Sequence, residues 1–237
     1  MNPKVLVGTV IYDEKDYMWD RYYDNVKKLD YDNYDICVVD NSSKRNYYRR
    51  LQKRTKKDRN TTILHTTRGI NSREGFCNSM NKLRETFLAG DYDYLMLIES
   101  DLVPSRDVIK RLMKHKVGIV GSIYPIGYAN SKTQPIRPCL FSVDPEKKGG
   151  TRNLTPDEGF GMFGKGLVQI HGMGFGSTLM ERWVMDKFKF WFSLDEPIKH
   201  SDVLFYLNYH NEGHRAYVDT DYMIPHFNSN WNEVKDI

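Results

Sequence analysis

The sequence predicts an α/β fold, a single domain whose mostly parallel central sheet carries helices on both faces. Three observations carry that prediction. Short apolar runs alternate with stretches of helical periodicity through the first half, which is the pattern of βαβ units. One run, Tyr94–Ile98 (YLMLI), is apolar throughout, as in a central parallel strand buried on both faces. The 237 residues are 40% hydrophobic and 28% charged, enough apolar material for one packed α/β core and too much for a disordered chain.

Taken in order, Lys4–Ile11 reads as the first strand. Trp19, Tyr22, Val26 and Leu29 then recur at steps of three and four, so a helix follows. Asp35–Asp40 (DICVVD) is a short buried strand, a basic helix comes next, and Thr61–Thr66 alternates as a third strand. The clearest helix is Ser72–Leu88, where Phe76, Met80, Leu83 and Phe87 form one apolar stripe that Gly90-Asp91 ends. After the YLMLI strand, Pro104-Ser105 opens a short helix and Val117–Ile123 is another strand. From Tyr124 to Lys165 the periodicity stops. Five of the nine prolines fall there (Pro125, Pro135, Pro138, Pro145 and Pro156), so loops and irregular structure are expected. Gly166–Met180 returns to strand character, interrupted by GMGFG. Ser201–Asn211 reads as a helix with Val203, Leu204 and Leu207 inward, and Ala216–Val218 as a last strand before an aromatic, histidine-containing tail.

Composition narrows the function classes. No stretch approaches the roughly 20 apolar residues of a membrane-spanning helix, and the N-terminus carries a strand pattern where a signal peptide needs its apolar region. A soluble, cytoplasmic protein is expected. Cys37, Cys77 and Cys139 stand far apart and form no Cys-x-x-Cys pair, which argues against a zinc site or disulfide framework. Much of the net charge of +4 comes from residues 44–59, with Lys44, Arg45, Arg49, Arg50, Lys53, Arg54, Lys56, Lys57 and Arg59. That run reads either as a solvated helix face or as the footprint of a polyanion such as DNA.

The candidate chemistry gathers at strand ends. Glu99-Ser100-Asp101 follows the buried strand, where ligands of parallel sheets bind, and alternation sends both carboxylates to one side. Two oxygens on one face suit a hard divalent cation able to neutralise a diphosphate. A cap by Ser105 or Asp101 on the helix after Pro104 is the plainer reading. Asp40, ending the second strand, is placed to accept hydrogen bonds from a ribose or base edge, or to make an Asx turn with Asn41-Ser42-Ser43. Arg73 opens the long helix and is placed to bind a phosphate, to pair with a carboxylate at the site, or to lie on the surface. His171-Gly172-Met173-Gly174-Phe175-Gly176 lacks the following helix of a dinucleotide fingerprint; its glycines allow close backbone approach to a ligand, or a bulge. Asp202, at the start of a predicted helix, suits a general base as well as a dipole-stabilising first-turn residue. His226 is an imidazole available to complete a metal shell, whereas His65, His115, His171, His200, His210 and His214 show no ligand spacing and read as structural or surface groups.

In this order the segments resemble the GT-A (Rossmann-like) glycosyltransferases, especially those of the family-2 type. The resemblance runs through VLVGTVIYDEKDYMWDRYYDNV, ICVVDNSS, RGINSREGFCNSMNKLRE, YLMLIESDLVP, HGMGFGSTLMERWVM and HSDVLFYLNYHNEGHRAYVDTDYMIPHF. It implies that Asp40 and Arg73 contact the donor, and that Asp101, with Glu99 and His226, holds Mn²⁺ or Mg²⁺ against its diphosphate. It further implies that Asp202 is the base of an inverting transfer from a nucleotide-diphosphate sugar, UDP-sugars being favoured. On the same resemblance the HGMGFG segment lies on the acceptor side, which brings Gly174 and Phe175 forward as candidates there. Two departures stand out: the metal motif reads Glu-Ser-Asp where the family has Asp-x-Asp, and Ser201 stands where an acidic residue usually precedes the base.

Residues 1–123 are then expected to form the nucleotide-sugar half and 124–237 the acceptor and catalytic half. Trp191, Phe192, Phe160, Phe163 and Trp231 are aromatic surfaces on which a sugar or a base could stack, with Trp191 and Trp231 the foremost candidates. The acceptor is open. A glycan or small molecule is one expectation; a hydroxylated base in DNA, reached through segment 44–59, is another. A non-catalytic nucleotide- or polyanion-binding module and a nucleotidyltransferase are the competing classes.

Overall fold

The computed structural model describes residues 2–128, 131–146, 150–195 and 200–227. Strand β1 (Val5–Ile11) leads through a 3-10 helix (Asp13–Met18) into α1 (Trp19–Val26). Then come β2 (Tyr34–Asp40), α2 (Asn46–Thr55), β3 (Thr61–His65) and α3 (Ser72–Ala89). β4 (Tyr94–Ile98), α4 (Val108–Met113) and β5 (Ile119–Ile123) complete a βα alternation that follows the expected order closely.

The stretch read as irregular holds short elements. These are β6 (Pro125–Ile126), β7 (Arg137–Pro138), β8 (Leu140–Val143), β9 (Thr151–Asn153) and α5 (Pro156–Phe160). They are too short and too proline-broken to show a period, and their partners are distant. β10 (Leu167–Ile170), β11 (Gly172–Met173) and β12 (Ser177–Glu181) follow, the GMGFG glycines breaking one apparent strand into three. α6 (Arg182–Lys187), α7 (Ser201–Asn211) and β13 (Ala216–Met223) close the described elements.

Among the described residues the main sheet has eight strands in the order β10-β13-β5-β12-β4-β1-β2-β3. β1, β2, β3 and β4 run parallel, as do β5 and β13. β12 lies antiparallel between β4 and β5, and β10 runs antiparallel to β13 at the edge. β11, β8 and β9 form a separate three-stranded sheet.

Strand alternation divides the core. Leu95 and Leu97 of β4 face one cluster with Met80, Leu83 and Phe87 of α3 and Phe205, Tyr206 and Tyr209 of α7. Met96 and Ile98 face the other, with Trp19 and Tyr22 of α1, Leu51 of α2 and Val108, Ile109 and Leu112 of α4. Both faces of the sheet are therefore covered, and each fully buried Leu or Phe contributes roughly 1.5–3 kcal/mol of transfer free energy. α7 corrects the sequence reading: Leu204 is buried as expected, but Phe205, Tyr206 and Tyr209 fill the rest of the inward face, while Val203 and Leu207 are half-buried. The larger aromatics on the adjoining stripe of the helix displace the smaller aliphatics from the deepest positions. No described helix is long and apolar enough to cross a membrane.

Candidate functional site

At the carboxyl ends of β1, β2 and β4 lies a cleft of about 420 Å³. Its lining includes Tyr12 and Lys15 beyond β1, Asn41 beyond β2, Arg68 and Arg73 around the start of α3, Glu99 and Asp101 beyond β4, His200 and Asp202 at the start of α7, and His226.

Local sequence holds several of these in place. Asn71 caps α3 by accepting from the Glu74 backbone N–H at 2.9 Å, and the Glu74 carboxylate accepts from the Ile70 N–H at 2.5 Å. Gly75 is required in the next turn: a Cβ there would lie 2.4 Å from the Arg68 carbonyl oxygen. The tight approach seats the Arg68 backbone on the helix, and its guanidinium stands 5.2 Å from the centroid of the Tyr12 ring.

The acidic cluster is built by long-range pairing. The Glu99 N–H donates to the Gly176 carbonyl at 2.9 Å, which continues the β4–β12 ladder one residue past the strand. Leu102 forms a bridge with His226, and the Phe227 N–H donates to the Asp101 carbonyl at 2.9 Å. These bonds bring the segment after β13 alongside residues 99–103. One ligand atom from each of Glu99, Asp101 and His226 then lies within 4.8 Å of the others. His226 Nδ1 sits 2.8 Å from the Pro125 carbonyl, which directs Nε2 to Asp101 Oδ2 at 3.3 Å. An imidazole anchored through one nitrogen with the other turned to carboxylates is the arrangement metal-ligating histidines use. The donor set, two carboxylates and a neutral-capable imidazole, fits Mn²⁺ or Mg²⁺.

Charges in the cluster are strongly coupled. Burial, and next the negative charge of Asp101, push Glu99 up to about 7. Burial acts on Asp101 in the same direction, but the hydrogen bond from His226 and the charge of Lys15 outweigh it and hold this carboxyl below its ordinary range. Lys15 Nζ lies 2.5 Å from Asp101 Oδ2. Asp202, half-buried in the first turn of α7, accepts from the Val203 N–H at 2.8 Å; burial nonetheless raises its pKa.

The sequence resemblance is matched by a direct comparison: the model of glycosyl transferase family 2 covers residues 7–169. The chain belongs to that family. No curated protein matches the sequence. Among solved structures, the mannosyltransferase PcManGT from Pyrobaculum calidifontis, in complex with GDP-Man and Mn²⁺, superposes with a TM-score of 0.62 at 15% identity. It aligns over 99% of this chain and 60% of that one. Residues 1–349 of TarS from S. aureus superpose at 0.60 with 12% identity, over 94% of this chain and 60% of that one. The present chain thus spans about 60% of both structures, and the likeness is one of GT-A fold.

The family-matched span contains Asp40, Arg73, Glu99 and Asp101 and stops short of Asp202 and His226, which the fold adds to the same cleft. Asp40 stands apart from the lining. It is fully buried, its Oδ1 accepting from the Ser42 N–H and hydroxyl at 3.0 and 2.5 Å and its Oδ2 facing His65 Nδ1 at 2.9 Å. The Asx turn open from the sequence is therefore formed, and Asn41 takes the place on the cleft wall.

Of the acceptor-side candidates, Phe175 and Gly174 stand away from the cleft lining. Phe175 is 3% exposed and packs with Phe190, Phe205 and Tyr206. A Cβ on Gly174 would meet the Tyr124 hydroxyl at 2.0 Å and Cys139 Sγ at 2.6 Å. The space a Cβ would fill at Gly174 is taken by the protein's own side chains, and neither Gly174 nor Phe175 lines the cleft. Trp191, Phe160 and Phe163 are exposed outside the lining, Phe192 packs partly against the core, and Trp231 lies outside the described residues. Sequence reading passed over Tyr12, Lys15 and Arg68, and took His200 for a structural or surface group although it lines the cleft. Only their position just past a strand or before a helix marked them, and many surface residues share it.

Proposed function

We propose that this chain is a metal-dependent glycosyltransferase that transfers a sugar, with inversion, from a nucleotide-diphosphate sugar to an acceptor hydroxyl. One observation carries the reading: Glu99, Asp101 and His226 converge in a cleft that also holds Asp202 and the cations Lys15, Arg68 and Arg73. Residues 1–123 supply most of the donor side and the later residues the base and the acceptor wall.

Glu99, Asp101 and His226 would hold the cation, which when bound neutralises charge on the diphosphate as a Lewis acid. Arg68 and Arg73 place positive charge where the leaving nucleoside diphosphate becomes more negative. Tyr12 and Asn41 border the nucleoside end; direct contact from Asp40 to a base requires it to release Ser42 or His65. Asp202, made more basic by burial, accepts the proton of the acceptor hydroxyl as oxygen bonds to the anomeric carbon and the bond to the diphosphate oxygen breaks. The test is a hydrolysis and transfer screen of UDP-sugars and GDP-mannose with Mn²⁺, with Mg²⁺ and with chelator. Turnover of one donor that chelator abolishes is expected. Tight nucleotide binding with no turnover under any condition overturns the proposal in favour of a non-catalytic binding module.

A second reading makes the acceptor a hydroxyl on a modified DNA base. It is supported by the exposure of Lys44, Arg45, Arg49, Lys53, Lys56, Lys57 and Arg59, while Arg50 and Arg54 are engaged with Asp16 and Asp20. A base within duplex has to be flipped out to be reached. Titration with duplex DNA over a salt series decides it; no binding even at low salt removes this acceptor.

A further inference from the structure

We infer that Lys15 is a built-in counter-cation of the metal cluster, which yields Asp101 to an incoming divalent cation and passes to the donor's diphosphate. The inference rests on the metal-dependent reading above and goes beyond it.

Asp101 Oδ2 faces both the Lys15 ammonium at 2.5 Å and His226 Nε2 at 3.3 Å. The Asp101 side chain is 5% exposed and that of Lys15 19%, so the carboxylate relies on this cation for compensation. A divalent ion taken up by Glu99, Asp101 and His226 cannot share that oxygen with an ammonium at 2.5 Å, because two positive centres so close repel strongly at low dielectric. Binding of the ion through Oδ2, the oxygen turned toward His226, therefore requires Lys15 to move. An ammonium on a four-carbon stem can do so without moving its backbone.

The backbone that carries Lys15 is fastened to the cluster. In the 3-10 helix the Asp13 N–H donates to Ser42 Oγ at 2.9 Å, and the Tyr17 hydroxyl donates to the Phe227 carbonyl at 2.9 Å. The Arg21 guanidinium covers the Phe227 ring at 3.7 Å, and the Phe227 N–H binds the Asp101 carbonyl. Lys15 is thus anchored to the segment that delivers His226 while its side chain lines the cleft beside Arg68 and Arg73. The stem pivots on a fixed base, and a polyphosphate in the cleft is the anion within its reach. Lys15 is a positioning residue for the cation and a ligand of the diphosphate only after the exchange. Metal and nucleotide then bind with positive coupling: each favours the state in which Lys15 has left Asp101.

The experiment measures Mn²⁺ binding to the purified full chain by calorimetry and by the EPR signal of free Mn²⁺, without nucleotide and then with UDP and with GDP. Lys15→Met is expected to bind Mn²⁺ alone about tenfold more tightly than wild type, within the usual range of coupling between sites. The strengthening of Mn²⁺ binding by the nucleoside diphosphate is expected to shrink in that variant. A structural ion pair predicts the reverse, a looser cluster with equal or weaker Mn²⁺ binding, and that result overturns the inference. Lys15→Gln, which removes the charge and keeps an N–H donor on a stem one atom shorter, repeats the comparison should Lys15→Met fold poorly. Asp101→Asn serves as the reference. Wild-type Mn²⁺ affinity in Asp101→Asn overturns the metal site itself, whereas loss of affinity there with no gain in the Lys15 variants overturns the exchange alone.

Discussion

Two buried carboxylates in this fold each face a histidine and a basic side chain, yet their surroundings differ in charge. Asp219 on β13 presents Oδ2 to Arg111 Nε at 3.1 Å, His115 Nε2 at 3.1 Å and Lys114 Nζ at 3.9 Å. Burial works to raise its pKa, but the Asp221 N–H, His115 and Arg111 outweigh that and hold it below the ordinary range. Asp101 has Lys15 and His226, with a second acid, Glu99, in the same cluster. The first site is one acid among several cations, outside the cleft, and clamps α4 to the sheet. The second is a pair of like charges at the end of a central strand, open to the cleft. A lone acid ringed by cations of its own chain is a structural clamp; two acids side by side repel each other, and the proposed divalent cation is what would offset that repulsion.

The comparison breaks most clearly through activity. Asp101→Asn is expected to lower metal-dependent turnover by about 10³-fold, the several kcal/mol that a cation's charge stabilisation supplies, while circular dichroism shows the fold intact. Near-normal turnover in this variant puts the metal elsewhere. Asp202→Asn is expected to lower transfer by about 10²-fold or more with donor binding little changed, and equal losses in both count against its role as base. The sign of its pH dependence follows from the raised pKa. The deprotonated form is the base, so turnover at saturating Mn²⁺ falls as pH drops through a pKa above the ordinary carboxylate value, and that acid limb disappears in Asp202→Asn.

Asp219→Asn sharpens the other side. Breaking a buried pair leaves cations uncompensated, so stability in urea is expected to fall by about 3 kcal/mol while the folded variant keeps its kcat. Linkage gives the matching trend: a lowered folded pKa contributes stability above the unfolded carboxylate pKa and loses it as pH falls through the folded value. A loss of kcat without loss of stability makes Asp219 part of the site. The smallest effect is expected from Gly174→Ala, where the new Cβ crowds Tyr124 and Cys139; overpacking of this kind costs about 1–3 kcal/mol, with donor binding unaffected.

Much of the fold was legible from the sequence. The strands before β6 and the helices α1 to α4 announce themselves through local periodicity, and α3 through its apolar stripe, because each depends on neighbours three, four or two positions away. The segment 124–165 was not legible as structure, since among the described residues β9 pairs with β8, and β8 with the distant β11. Of the site, Glu99, Asp101, Arg73, Asp202 and His226 were legible as candidates and meet in one cleft. Phe175 and Gly174 lie buried away from the cleft lining, which sequence could not show, because a glycine that admits a ligand and one that admits a neighbouring tyrosine look the same there.

By itself the sequence determined an α/β alternation, a buried strand ending in Glu99-Ser100-Asp101 and the order of segments that marks family 2. All of these are encoded within short windows. Tertiary structure alone decided that β12 runs antiparallel between β4 and β5, that Asp40 is spent on Ser42 and His65, and that Lys15 and His226 close on the same oxygen of Asp101. Lys15 and Asp101 are 86 positions apart, and their contact exists only because strand pairing brings the ends of β1 and β4 together. Charge compensation in a buried site is a property of distances in space, which no local pattern of residues encodes.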